Sequence, residues 1–276
     1  MYPRRVLLTL LWACAEEPRD CEGWGEPEAV GTLQNDELIE ASGLAVSRDQ
    51  AMLWSHNDSG DGARIFGVGL DGSDLGVWTL TGQSFDDVED IAFDNEGRLV
   101  LADIGDNKRK RESVFLYRFA EPDATTGGGS IEDVEVFELT FEDKVHNAES
   151  LAIDPVTGNA YVFEKTNSGR VSVYRADLDS GILVLEHKFK VPGEGDPAIT
   201  AADFTPDGER LLLRTRDRVL VYSRGDNTSI SNILEGVVCE GPDLDEAQGE
   251  AIGGADWGFV SVSEGKSSTV YRANRQ

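Results

Sequence analysis

Glu89-Asp90-Ile91-Ala92-Phe93-Asp94-Asn95-Glu96-Gly97-Arg98-Leu99-Val100-Leu101 reads as a short buried strand, a tight Asp/Asn/Gly turn and a second apolar strand. The pattern recurs along the chain. Ser42-Gly43-Leu44-Ala45-Val46, Glu149-Ser150-Leu151-Ala152-Ile153, Thr200-Ala201-Ala202-Asp203-Phe204 and Glu250-Ala251-Ile252-Gly253-Gly254 align with its first five residues, at separations of 47 to 60 residues. Each is followed by an apolar second strand, for example Ala160-Tyr161-Val162 or Leu211-Leu212-Leu213. Third strands come next, four of them ending on an aromatic: Val114 to Tyr117, Val171 to Tyr174, Val219 to Tyr222 and Thr269 to Tyr271. Fourth strands are predicted over Gly76–Leu80, Val134–Thr140, Leu185–Val191 and Ile230–Leu234.

Short strands at a repeat near 50 residues predict an all-β chain, a β-propeller with five blades of four antiparallel strands. The last repeat stops at Gln276 without a fourth strand, and Ala29–Leu33, which precedes the first repeat, would supply it and close the ring. A sandwich or a solenoid is the alternative architecture. The expected organisation is a signal or lipobox segment over 1–14, a tether over 15–27 and a single propeller domain over 28–276.

The chain has 276 residues, with 25 Lys and Arg against 52 Asp and Glu, a formal charge of −27. Such a surface repels nucleic-acid phosphates and anionic membranes, which excludes a nucleic-acid partner. Arg4-Arg5, the apolar run Val6 to Ala13 and then Cys14 read as an export signal. Leu11-Trp12-Ala13-Cys14 resembles a bacterial lipobox, so Cys14 is the expected lipidation site and the lipid the sole membrane attachment. The expected location is the cell envelope, or the periplasm or exterior. In such a compartment Cys21 and Cys239, which flank the point where the ring closes, are expected to form a disulfide, with two free buried thiols as the alternative.

In propellers the first strands line a central channel. The residues opening them here are Ser42, Glu89, Glu149, Thr200 and Glu250; those ending the second strands include His56-Asn57-Asp58, Asp103 to Asn107, Glu164-Lys165, Arg214 to Arg216 and Ser263-Glu264. All should converge on one mouth. Carboxylates clustered with Asn and backbone carbonyls are hard oxygen ligands suited to Ca²⁺, and Asp58, Glu89, Asp103, Asp106, Asn107 and Glu264 are the candidate metal ligands. The alternative is neutralisation by Arg214 and Arg216 pairing with Glu149 or Glu264. His56, Asn57, Glu164, Arg214 and Arg216 are candidate ligand-binding residues, and Glu89, Glu149 and Glu250 candidate catalytic carboxylates. Lys108-Arg109-Lys110-Arg111 is a lone basic run on the same face, and Gly127-Gly128-Gly129 reads as a flexible loop tip.

Trp54-Ser55-His56-Asn57-Asp58-Ser59-Gly60-Asp61, Glu89-Asp90-Ile91-Ala92 and Asp103-Ile104-Gly105-Asp106-Asn107 together are similar to a group of exported bacterial propellers near the phytase-like and esterase-like propellers. The resemblance implies a propeller, an envelope location and calcium. Two functions are consistent with these residues. The first is a monomeric propeller that binds a small ligand, a glycan or an envelope protein at an acidic, Ca²⁺-occupied mouth; the second is a Ca²⁺-dependent hydrolase of phosphate esters or lactones.

Overall fold

The computed structural model describes residues 19–20, 23–226, 229–246 and 248–276. The expected lipidation site Cys14 and the expected disulfide partner Cys21 lie outside them. The described chain is almost all β. Each repeat segment becomes an inner strand: Ala41–Val46, Val88–Phe93, Ala148–Ile153, Ile199–Phe204 and Gly249–Ala255. These strands are buried along nearly their whole length, which explains why the repeats carry small and branched apolar residues without polar alternation. Each inner strand lies against the next, and Gly249–Ala255 returns to Ala41–Val46, so the inner strands close round a common axis.

Second and third strands follow outward in antiparallel pairing, as Arg98–Asp103 and Val114–Ala120 do in the second repeat. Apolar clusters fill the gaps between neighbouring repeats. Trp54, Trp78, Ile91, Leu101 and Phe119 pack between the first and second, and Phe163, Phe189, Phe204 and Tyr222 between the third and fourth. Each fully buried side chain of this size contributes roughly 1.5–3 kcal/mol by leaving water. Glu28–Thr32 pairs antiparallel with Thr269–Asn274 and so completes the last repeat with chain from before the first.

The sheets are not five equal sets of four strands. Among the described residues there are four sheets, of five, five, eight and four strands. The eight-stranded sheet arises because Val134–Phe141 and Ile182–Lys190, the outer strands of two repeats, pair in parallel and merge them. Gly129–Ile131 adds a strand alongside Asp74–Leu80, so the glycine run is not a free loop tip. Backbones approach closely here: a Cβ on Gly128 would sit 2.8 Å from the Val77 carbonyl oxygen, and one on Gly76 2.3 Å from the Gly127 carbonyl carbon.

The expected strand over Ile230–Leu234 is a short helix. The Ser229 side chain caps it by accepting from the Asn232 amide, and Ile230, Ile233 and Leu234 are buried at helical spacing. The fourth strand of that repeat is Val238–Glu240, and Arg19–Asp20 adds to its edge in parallel, with Arg19 opposite Cys239. Cys239 is disulfide-bonded. No helix among the described residues is long and apolar enough to cross a membrane.

Candidate functional site: the acidic channel mouth

All five inner strands carry a register shift at the same point, after their first residue. Opposite the second strands, pairing passes from Ala41 to Gly43, from Val88 to Asp90, from Ala148 to Ser150, from Ile199 to Ala201 and from Gly249 to Ala251. The residues skipped are Ser42, Glu89, Glu149, Thr200 and Glu250. A β-bulge leaves one residue unpaired and re-aims its side chain; repeated at equivalent positions, it places one ring of side chains at one end of the channel. All five are buried.

Three carboxylates in this ring are electrostatically linked. Burial pushes the Glu89 carboxyl well above the usual range, and Glu149, Asp58 and Asp87 push it further. Burial also raises Glu149, although the Lys165 ammonium and the Asn147 amide oppose it. Glu250 is pushed up to about 7 by burial, with Lys165 opposing and Glu149 and Glu264 adding to the rise. Its Oε2 has no hydrogen-bond partner among the described residues. Lys165 Nζ pairs with Glu149 Oε2. Burial works against this ammonium, but Glu149, reinforced by Glu250 and Glu89, outweighs it and holds the pKa above the usual lysine value.

Beside the ring, Asp58, Asp87 and Glu89 each offer a carboxylate oxygen within 4.8 Å of the others. Asp87 is raised by burial and by Asp58, and Arg111 opposes it. The backbone closes tightly on this cluster: a Cβ on Gly105 would lie 2.1 Å from Glu89 Oε1 and 2.5 Å from Asp87 Oδ2. Three converging carboxylates, two of them held above the usual range by burial first and by neighbouring carboxylates second, suit a hard divalent cation. A cavity of about 320 Å³ opens beside the cluster, lined by Ser59, Asp86, Asp87, Asp106, Asn107, Lys108 and Arg111.

Other candidates are occupied by the protein itself. Asp103 accepts from the Asp86 and Asp87 amides at 2.9 and 3.0 Å and from Arg111 Nη1 at 2.6 Å, so it shapes the loop that presents Asp87. Asp106 Oδ2 accepts from the Arg111 amide at 2.8 Å, and Asn107 Oδ1 from Asn147 Nδ2 at 3.3 Å. Asn57 is used up on the 37–40 loop, accepting from the Ile39 and Glu40 amides and donating to the Glu37 carbonyl and Asp61. Glu164 accepts from His146 and lies 3.7 Å from Arg109. Glu264 is exposed and takes the Gln248 amide at 2.5 Å.

Arg214 does not neutralise the ring at Glu149 or Glu264: it is buried against Glu246 at 2.5 Å. Arg216 reaches Asp196 at 3.5 Å and lies close enough to Glu250 to lower its pKa. His56 is buried, with Nδ1 2.9 Å from the Asn57 carbonyl oxygen and Nε2 unpartnered; burial depresses its pKa to about 4. Asp87, just outside the repeat, escaped the sequence reading. Lys165 ends a second strand and so belongs to the expected mouth, but its pairing with the carboxylate ring is seen only in the structure.

No protein-family model matches the sequence, and none of the curated proteins does. Among solved structures the chain is similar to a gluconolactonase of Xanthomonas campestris, at 13% identity and a TM-score of 0.50 over 94% of this chain and 97% of that one. It is also similar to the PQQ-bound form of an aldose sugar dehydrogenase of Streptomyces coelicolor, at 11% identity and a TM-score of 0.50, covering 90% and 97%. At these identities the likeness is one of fold: an all-β, propeller-type chain.

Proposed function

We propose that the protein is a metal-dependent hydrolase of small lactones or phosphate esters, working at the acidic mouth of a propeller whose inner strands mark five blades. One observation carries this reading: Asp58, Asp87 and Glu89 converge to within 4.8 Å beside a buried ring that contains Glu250, a carboxyl with a pKa of about 7. Asp58, Asp87 and Glu89 would hold the cation, with Ca²⁺ the favoured ion. When bound it would polarise a carbonyl or phosphoryl oxygen. The chain's own groups supply the rest. Glu250 Oε2 is unpartnered and its pKa lies near neutrality, so it is suited to take a proton from an attacking water. Lys165 pairs with Glu149, opposing the rise that burial gives that carboxyl, and adds positive charge next to the reacting region. Lys108 and Arg111 line the adjoining cavity and fit an anionic or polyhydroxylated substrate. Export with a lipid on Cys14, and a Cys21–Cys239 bridge pinning the N-terminal segment to the edge of the sheet, complete the proposal.

The test uses the purified chain with aldonolactones and p-nitrophenyl phosphate, in EDTA and in millimolar Ca²⁺ at matched ionic strength. Turnover of one class that needs Ca²⁺ and falls by about 10²–10⁴-fold in Glu250→Gln is expected. Calcium should also stabilise the fold by roughly 2.7 kcal/mol at a hundredfold excess over Kd, and Glu89→Gln should reduce that increment. Calcium stabilisation without turnover of either class would return the site to ligand binding, and equal melting temperatures in Ca²⁺ and NaCl would remove the metal.

A further inference from the structure

Away from the bulges, four inner strands end on Val46, Phe93, Ile153 and Phe204 and the fifth reaches Gly254 one residue before its end, and these residues line a second cavity of about 420 Å³ with Pro155, Pro206, Arg48 and Asp203 among their neighbours. This volume falls within the range of small-molecule pockets. At about 3.3 Å rise per residue, three residues along a strand place the Asp203 level roughly 10 Å down the channel from the bulge ring.

Asp203 breaks the repeat. At its register position the other inner strands have Ala45, Ala92, Ala152 and Gly253, residues that fit a narrowing channel. Its carboxylate accepts from the Phe204 amide and from the Gly254 amide of the next strand, both at 2.8 Å, which fixes its direction. Among the described residues no ion pair reaches it. The other acids in the wall are compensated or at the rim: Arg98 holds Asp94 at 2.8 Å and Glu96 at 2.9 Å, while Asp256 is exposed. Arg48 does not meet Asp203; its guanidinium folds over Gly97, with Nε 2.6 Å from where a Cβ on that glycine would be. A fixed carboxylate without a cation, set among aromatic and aliphatic side chains, is the complement of an organic cation with an apolar body.

We propose that this second mouth binds a small organic ammonium compound, its cationic head on Asp203 and its apolar body between Phe93 and Phe204. Burial raises the Asp203 carboxyl to about 7, opposed by the Gly254 and Phe204 amides but by no cation among the described residues, and a bound ammonium would supply that charge. The site is separate from the acidic mouth and does not depend on hydrolysis there.

The probe is benzylammonium, titrated into the full chain at pH 8 and followed by heteronuclear NMR, with benzyl alcohol as the neutral counterpart. Saturable binding is expected, with shifts at Phe93, Asp203 and Phe204 and at least tenfold weaker binding of benzyl alcohol. Asp203→Asn should weaken benzylammonium at least tenfold, and Phe93→Ala, which leaves the carboxylate and its hydrogen bonds in place, should weaken it several-fold. Glu89→Gln should leave it unchanged. Equal affinity for the amine and the alcohol, an unaffected Phe93→Ala variant, or binding abolished by Glu89→Gln would overturn the proposal. If Asp203→Asn does not fold, Phe93→Ala and the neutral probe decide.

Discussion

The two ends of one channel are built from the same five strands and handle charge in opposite ways. At the bulged end, Glu89, Glu149 and Glu250 crowd together and the protein supplies cations: Lys165 on Glu149, and Arg214 on Glu246 nearby. At the regular end, Val46, Phe93, Ile153 and Phe204 line the mouth, and the Asp203 carboxylate, unlike Asp94 and Glu96, has backbone amides but no ion pair among the described residues. The difference shows what a bulge does. An extra residue frees its side chain from the sheet faces and aims it at the axis, so large acidic groups are accommodated there. Where pairing stays regular, the axis is lined by small residues, and a carboxylate must be anchored by neighbouring strands.

Between the ends, Asp90 ties the strands together. Its carboxylate accepts from the Ile91 amide at 2.9 Å, the Leu151 amide at 2.8 Å and the Ala202 amide at 3.3 Å, joining three inner strands. Burial and the charge of Asp203 raise its pKa well above the usual range.

The contrast breaks most severely if the bulged end loses a buried cation. Arg214→Met strands Glu246 in a site where both side chains are 1% exposed, so urea unfolding should show a loss of about 3–5 kcal/mol. A loss below about 1 kcal/mol would mean that the acidic end does not depend on its protein cations.

The pH dependence of stability sharpens the comparison. Glu250 and Asp203 both have folded-state pKa values raised to about 7 from ordinary values of 4.5 and 3.8. The folded state therefore binds protons more tightly than the unfolded chain. Their stabilising contribution is complete below about pH 4 and is lost as pH rises through about 7, at up to roughly 1.4 kcal/mol per pH unit for each group. Glu250→Gln and Asp203→Asn should each remove one share of that slope in denaturation measured from pH 4 to 8. Calcium should flatten the share from the bulged end and leave that of Asp203 in place. A slope unchanged in both variants would contradict the electrostatic account of the channel.

The smallest effect is expected at Glu264, which shares the face of the ring but is exposed. Glu264→Gln should alter stability by no more than about 0.5 kcal/mol and leave the calcium increment intact. A larger change would extend the cation cluster to the rim.

The repeat, its turns and the register of Ser42, Glu89, Glu149, Thr200 and Glu250 were legible in the residues, because strand and turn signals depend on side chains a few positions apart. The N-terminal closing strand was legible too, since one repeat lacked a strand and one strand lacked a repeat. Ile230–Leu234 misled for a local reason: a five-residue apolar run does not distinguish a strand from a capped helical turn, and its burial against the third and fourth repeats selects the helix. Only the tertiary structure decided that Asp87 joins Asp58 and Glu89, that Lys165 rather than Arg214 meets the ring, and that two repeats merge through their outer strands. Those relations join separate loops and edges, and Asp58 and Asp87 lie 29 residues apart in the chain. They are set by how the inner strands pack round a shared axis, and no local pattern of side chains encodes that distance.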